Sequence, residues 1–289
     1  MTAIREAARA KINLTLSVLG RRPDGYHEIE SLVVFAEVGD EVSLELGSDP
    51  KVRTGGPFAS AIDGPNLLER ALALLRQAEP ELRLGAVTLE KNLPVAAGLG
   101  GGSADAAALL RAVRRANPEL ADRVPWEEIA AGLGADVPVC FAGKPALICG
   151  IGERVEPLAH ALPPMAAVLV NPRLPLATAD VYRALAASPV PTHAPSRTPA
   201  GQFASFEALV ECMRARGNDL ERPATSLLPT IAGMKAALAA LPGCRYAALS
   251  GSGPTCFGIF AEEPEAAHAA AALSAAHPAY WIRSARLAT

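Results

Sequence analysis

Polar and apolar residues alternate through the first 46 positions, loosely over Lys11–Leu19 and more clearly over Ile29–Val38 and Glu41–Leu46. A period of two puts alternate side chains on one face, so these stretches predict strands. Arg21-Arg22-Pro23-Asp24-Gly25 separates the first two as a turn, because Pro fixes φ and Gly permits positive φ. The period then changes. Leu67, Leu68, Ala71, Leu74 and Leu75 recur at helical spacing within Asn66–Ala78. Val87–Leu93 predicts a short strand ending at Pro94. A helix from about Ser103 to Ala116 buries Ala106, Leu109, Leu110 and Val113 and exposes Arg111, Arg114 and Arg115.

Further along, Pro125–Leu133 predicts a short helix, followed by the turn Gly134-Ala135-Asp136-Val137-Pro138. Ala146–Cys149 and Ala167–Val170 read as strands, and 203–214 and 224–241 as helices. A strand–turn–strand over Tyr246–Phe260, a helix over 265–276 and a strand over 280–287 complete the pattern. Ala186–Gln202, rich in Ala, Ser, Pro and Thr, predicts a mobile linker. There is no internal repeat. Strands and helices intermix without strict βα alternation, which gives an α+β fold. A lobe boundary near 155–165 divides the chain into 1–158 and 159–289.

Composition narrows the class. The chain has 289 residues, half of them apolar, which is enough for one large domain or two lobes at roughly 100–200 residues each. Alanine supplies much of that half, as in 265–277, so small side chains are expected to build the core. With 30 acidic against 27 basic residues, a net charge of −3 and no Lys/Arg-rich run, nucleic acid is not an expected partner. No run of about eighteen apolar residues predicts a membrane span. The opening MTAIREAARAKINL has Arg and Glu where a secretory signal has an apolar core. Five cysteines, an odd number and none in C-x-x-C, argue against a disulfide framework or a zinc site. The expectation is a soluble, cytoplasmic protein that handles small molecules.

The segment Pro94-Val95-Ala96-Ala97-Gly98-Leu99-Gly100-Gly101-Gly102-Ser103-Ala104 joins a strand to an amphipathic helix. Without Cβ atoms, successive N–H groups can turn toward an anion at the helix N-terminus, and Ser103 can cap the helix or donate to a phosphate oxygen. The alternative is a flexible loop without chemistry. Neither G-x-x-x-x-G-K-[ST] nor G-x-G-x-x-G fits these residues. Asp105, placed in the first helical turn, reads as a partner of the helix dipole.

Ser250-Gly251-Ser252-Gly253-Pro254-Thr255 is either a plain glycine hairpin or, with the first loop, a second wall of a phosphate clamp. Lys11 and Asp136 are each either solvated charges or an electrostatic partner and a general base for phosphoryl transfer. Tyr26-His27 is either a strand-edge pair or a ring stack with a hydrogen-bonding edge. None of the remaining histidines, His160, His193, His268 and His277, has metal-ligand spacing.

Together these motifs resemble the GHMP small-molecule kinases. Pro94–Ala104 looks like their phosphate-binding motif, Ala10-Lys11-Ile12-Asn13-Leu14 like their first and Ser250–Thr255 like their third. Arg22-Pro23-Asp24-Gly25-Tyr26-His27-Glu28 and Leu133-Gly134-Ala135-Asp136-Val137-Pro138 narrow the likeness to the branch whose acceptor alcohol bears a cytidine diphosphate, in the non-mevalonate route to isoprenoid precursors. The resemblance implies a two-lobed fold, mixed sheet with helices in the N-terminal lobe and antiparallel sheet with helices in the C-terminal lobe, and an active site between them. It implies ATP as co-substrate, wrapped by Gly98–Ala104 within Pro94–Ala104, with Asn66 near the adenine. It also implies Asp136 as general base beside Lys11, and a substrate held by Asn13, Tyr26, His27 and Tyr182, with the two tyrosines sandwiching cytosine. Mg²⁺ is expected from the chemistry, although no carboxylate marks itself as a dedicated ligand.

Arg9 and Ala104 depart from the family pattern, which has Pro and a second Ser there. Monomer and homodimer are both compatible with the sequence. Two other functions share the loop: another member such as homoserine or mevalonate kinase, which gives no reason for Tyr26, His27 and Tyr182, and a non-catalytic module that senses ATP.

Overall fold

The computed structural model describes residues 3–64, 66–190 and 203–288. In chain order these form β1 (Ile4–Asn13), β2 (Ser17–Arg21), β3 (His27–Leu46), β4 (Val52–Gly55), α1 (Leu67–Ala78), β5 (Gly85–Glu90) and α2 (Gly101–Ala116). Next come α3 (Trp126–Leu133), α4 (Val137–Ala142), β6 (Ala146–Gly150), β7 (Arg154–Pro157), β8 (Ala166–Asn171) and α5 (Thr178–Leu185). The remainder holds α6 (Phe206–Arg216), α7 (Glu221–Leu227), α8 (Thr230–Ala239), β9 (Tyr246–Leu249), β10 (Cys256–Phe260), α9 (Glu263–Ala276) and β11 (Trp281–Arg286). The composition is α+β. None of these helices is long and apolar enough to cross a membrane.

The residues group into two compact units. One gathers the described residues up to Ala10 with Gly39–Val95 and Gly100–Gly143; the other takes Lys11–Val38, Ala96–Leu99 and the described residues from Lys144 onward. In the first unit, the second half of β3 pairs antiparallel with β5, and β4 lies parallel to β5, so the sheet is mixed. Helix α2 packs against α1, α3 and α4. Its alanines at 104, 106, 107, 108, 112 and 116 are buried together with Leu109, Leu110 and Val113, wider than the single face the spacing predicts. Small side chains permit that enclosure, as the composition suggests. Arg111 is drawn in as well: its guanidinium donates to the carbonyls of Ala7 and Cys140. Asn117, fully buried, closes the end of α2 by donating to Val113 O and accepting from Arg83 N.

In the second unit, the first half of β3 pairs antiparallel with β2 and β6, and β7 extends from β6. A separate four-stranded antiparallel sheet runs β11-β8-β10-β9, with α8 and α9 packed on it. Here the core departs from the small-residue expectation: Trp281, Phe257 and Phe260 are among the largest fully buried side chains.

Several elements differ from the sequence pattern for identifiable reasons. Ile29–Val38 and Glu41–Leu46 are one strand, because the polar break at Asp40 is a buried anchor. Its Oδ1 accepts from Asn92 N and Leu93 N. Lys11–Leu19 is split between β1 and β2 at Leu14–Leu16. The helix expected over 224–241 breaks before Pro229, which disfavours helical geometry in the residue it follows. Asp136-Val137-Pro138, read as a turn, opens α4 with Pro in its first turn. Of the expected linker, 186–190 is held in place: Arg21 N donates to Ser188 O at 2.8 Å and Val190 N to Arg21 O at 3.0 Å. Residues 191–202 lie outside the described residues.

Candidate active site

The glycine loop is built by close backbone approach. Gly98 has φ of +73°, and a Cβ there would lie 2.4 Å from Ser250 O and 2.8 Å from Gly253 N. Only a residue without a side chain fits. Ser250 Oγ donates to Gly98 O at 2.9 Å, and Thr255 N donates to Ala97 O at 3.2 Å. The second glycine turn therefore braces the first loop through main-chain atoms. Ala96 is driven to φ of +51°, a conformation non-glycine residues seldom hold and one that clusters at functional sites. Gly102 has no such packing reason: a Cβ there would make only ordinary contact, at 3.6 Å from Leu67 Cδ1.

Helix α2 begins at Gly101, two residues before the expected start, with Gly100 in left-handed geometry as its cap. Asp105 thus falls in the second turn, which corrects its reading as a dipole partner. It is buried, and its Oδ2 receives Lys91 Nζ at 2.7 Å, while the same ammonium reaches Asp40 Oδ2 at 2.6 Å. One ammonium serves two carboxylates. Asp40 has its two backbone donors besides; Asp105 Oδ1 is buried with no hydrogen-bond partner. Burial pushes the Asp105 carboxyl up to about 8, outweighing the pull of Lys91. Burial draws the Lys91 ammonium down, but the two carboxylates together hold it above its usual value. A Cβ at Gly101 would stand 3.1 Å from Lys91 Nζ, so the cluster lies directly behind the first turn of α2.

Lys11 and Asn13 sit on β1 and are buried. Lys11 N donates to Leu99 O at 2.9 Å, and Asn13 N donates to Ser250 Oγ at 3.3 Å, which ties the strand to both glycine segments. Asp136 is the half-buried residue that opens α4, and its carboxylate does not cap that helix. Asn66 does cap: its Oδ1 accepts from Leu68 N at 3.0 Å at the start of α1.

The turn before β3 is ordered by Asp24, which accepts from Tyr26 N and from Arg22. Gly25 takes φ of +90°, and Tyr26 is left 61% exposed. His27 follows, with its ring 4.8 Å from that of Tyr182 on α5 and tilted by 32°. These rings, with Arg21, Ile151 and Arg183, line a cavity of about 620 Å³. That lies in the size range of small-molecule sites. Burial and the charge of Arg21 lower the His27 pKa, which favours the neutral imidazole with one donor and one acceptor. The cavity is joined to the loop: Thr178, at the start of α5, bonds Ser252 Oγ at 2.8 Å, and Asn171 Nδ2 donates to Thr255 Oγ1 at 2.9 Å.

Comparison with known proteins gives the family. Residues 66–144 match the GHMP kinases N terminal domain, and residues 200–279 match the GHMP kinases C terminal domain. The chain is a GHMP kinase. It is similar to the 4-diphosphocytidyl-2-C-methyl-D-erythritol kinase of Cereibacter sphaeroides, at 50% identity over 97% of this chain and 98% of that one. It is 46% identical to the enzyme of the same name from Rhodopseudomonas palustris, over 98% and 97%. A crystal structure of 4-(cytidine 5'-diphospho)-2C-methyl-D-erythritol kinase superposes with a TM-score of 0.78 at 36% identity, covering 99% of both chains.

In this GHMP kinase the structure brings together the two glycine segments and the rings of His27 and Tyr182, all marked in the sequence, while Asp40 and Lys91 carry no such mark. Asp40 is a single charge within β3 and Lys91 one just past the end of β5, and only the meeting of Asp40 and Asp105 at Lys91 distinguishes them from solvated charges. Asp105 has a folded pKa above its ordinary 3.8, so the folded protein holds that proton longer than the unfolded chain does. Its contribution to stability is present below about 4 and is lost as pH rises through about 8. Asp105→Asn should flatten this decline. Urea unfolding at pH 5 and pH 9 measures it, and an unchanged difference between the two pH values would refute the assignment.

Proposed function

We propose that the chain transfers the γ-phosphoryl group of ATP to the 2-hydroxyl of 4-diphosphocytidyl-2-C-methyl-D-erythritol, a step in isoprenoid precursor synthesis. The observation that carries this reading is the cavity lined by Tyr26, His27 and Tyr182. A pyrimidine needs apolar ring faces and an edge with one donor and one acceptor, and a neutral imidazole supplies such an edge. Near-full-length identity to kinases of that name adds to it.

In this reading Tyr26 and Tyr182 cover the faces of cytosine and His27 reads its edge. Asn13 holds the acceptor. Gly98–Ala104, within Pro94–Ala104, wraps the phosphates with main-chain N–H groups at the positive end of α2. Packing does not demand a glycine at Gly102, where a Cβ would make only ordinary contact with Leu67, and that supports the role. Asn66 stands by the adenine while capping α1. The acceptor hydroxyl attacks the γ-phosphorus as the bond to the β,γ-bridging oxygen breaks. ADP leaves with that electron pair, and Asp136 takes the hydroxyl proton. Lys11 stabilises the ionised carboxylate and the growing charge on the attacking oxygen.

Among the described residues, no three His, Cys, Asp or Glu side chains gather to hold a metal ion. The donor set suits a Mg²⁺ carried on the phosphates of ATP, with the Ser103 hydroxyl as the loop's one side-chain oxygen. When bound, Mg²⁺ neutralises charge on the β- and γ-phosphate oxygens.

Purified protein with ATP and Mg²⁺ should release ADP with the cytidine diphosphate acceptor and none with homoserine or mevalonate. Turnover of either alternative in its place overturns the reading, and so does ATP binding without turnover of any of the three. Asp136→Ala should lower kcat by about two to four orders of magnitude while ATP binding persists. Near-normal turnover would remove Asp136 from the mechanism. Tyr26→Ala should weaken acceptor binding by about 1–3 kcal/mol, the usual worth of stacking on one base. A KM that rises for ATP and stays unchanged for the acceptor would count against the base pocket.

A further inference from the structure

Beside the phosphate loop, Asn13 belongs to a buried chain of polar groups whose hydrogens can be assigned from chemistry alone. Asn13 is 2% exposed, Thr15 1% and Ser31 0%. Ser31 Oγ lies 2.5 Å from Thr15 O, and a carbonyl only accepts, so the single hydroxyl hydrogen of Ser31 is committed to it. The 2.8 Å bond between Asn13 and Ser31 Oγ must then run from the Asn13 amide NH₂ to the hydroxyl. Thr15 is fixed in turn, since its Oγ1 accepts from Leu32 N.

This orders the amide. With NH₂ held toward Ser31, Asn13 Oδ1 is turned the other way. It is buried without a hydrogen-bond partner and lies 3.3 Å from where a Cβ of Gly251 would stand. Gly98 O is also 3.3 Å from that point and can only accept. A buried carbonyl oxygen without a donor is costly, and with another carbonyl beside it only a group that donates relieves it.

We propose that Ser31 is a positioning residue: it holds the Asn13 amide so that Oδ1, and not NH₂, faces the bound acceptor and takes a hydrogen bond from one of its hydroxyl groups. The proposal rests on the assignment of Asn13 to the acceptor made above. It gives the site a polarity. An acceptor presenting a hydroxyl is favoured there, and one presenting only an ether or carbonyl oxygen is rejected.

The test compares Ser31→Ala, Ser31→Thr, Asn13→Ala and the Ser31→Ala/Asn13→Ala double variant in steady-state kinetics, with thermal unfolding of each. Ser31→Ala frees the amide to turn over and should lower kcat/KM for the acceptor about tenfold, roughly the worth of one hydrogen bond. KM for ATP should stay unchanged, Ser31→Thr should restore activity, and Ser31→Ala should add nothing to Asn13→Ala. Should Ser31→Ala fail to fold, Ser31→Cys replaces the hydroxyl oxygen by a poor acceptor at similar volume and should give the same pattern. Full activity in Asn13→Ala would overturn the assignment of Asn13 itself. An impaired Asn13→Ala beside a normal Ser31→Ala would overturn the role of Ser31 alone. Equal losses from Ser31→Ala with and without Asn13, or a parallel rise in KM for ATP, would make Ser31 merely structural and also overturn it.

Discussion

Main-chain atoms of two distant segments meet where Gly98 lies against Ser250 and Gly253, and much of the site hangs on that meeting. Any side chain at Gly98 would occupy the space now held by Ser250 O and Gly253 N. Because it is absent, Ser250 can reach Gly98 O, Thr255 can reach Ala97 O, and Asn13 can reach Ser250. The same turn extends to α5 through Ser252 and Thr178, and α5 carries Tyr182. One short glycine turn thus reaches both the loop read as holding phosphate and the helix that lines the ring cavity.

Electrostatics in the first unit follow a different logic. Lys91 is enclosed with two carboxylates, and removal of charge from water is repaid only where geometry and hydrogen bonds are good. Asp40 meets that condition through Asn92 N and Leu93 N, whereas Asp105 has only the shared ammonium. The cost of burial therefore collects on Asp105, whose carboxyl is the one pushed up. The polar interruption in β3 at Asp40 belongs to the same arrangement, which is why a strand can continue through it.

Much of this was legible in the sequence where local rules govern. Period-two alternation located β3 and period-3.6 spacing located α1 and α2. The glycine segment Pro94–Ala104 announced a strand-to-helix loop. Asp24-Gly25 announced the turn that exposes Tyr26. What stayed hidden depends on long-range meetings. Gly98 reads as a residue for ligand approach, yet its first demand is room for the 250–253 turn. Lys91 and Asp40 are 51 positions apart, and nothing local marks either as buried. The resemblance implies Asn66 near the adenine, and the structure adds a helix cap, a task its position before Leu67 could have suggested. Residues 186–190 looked like linker by composition, but their backbone pairs with Arg21, which no composition reports.

The alanines of α2 have a consequence for motion. Alanine has no side-chain rotamers, so burying six of them forfeits none of the rotamer freedom that longer side chains lose on folding. The same property removes any means of local adjustment. A leucine or methionine can change rotamer to absorb a small displacement; an alanine surface in close contact cannot. On its alanine faces the helix that presents Gly101, Gly102 and Ser103 can therefore give way only by moving its backbone, and rotamer adjustment is left to Leu109, Leu110 and Val113.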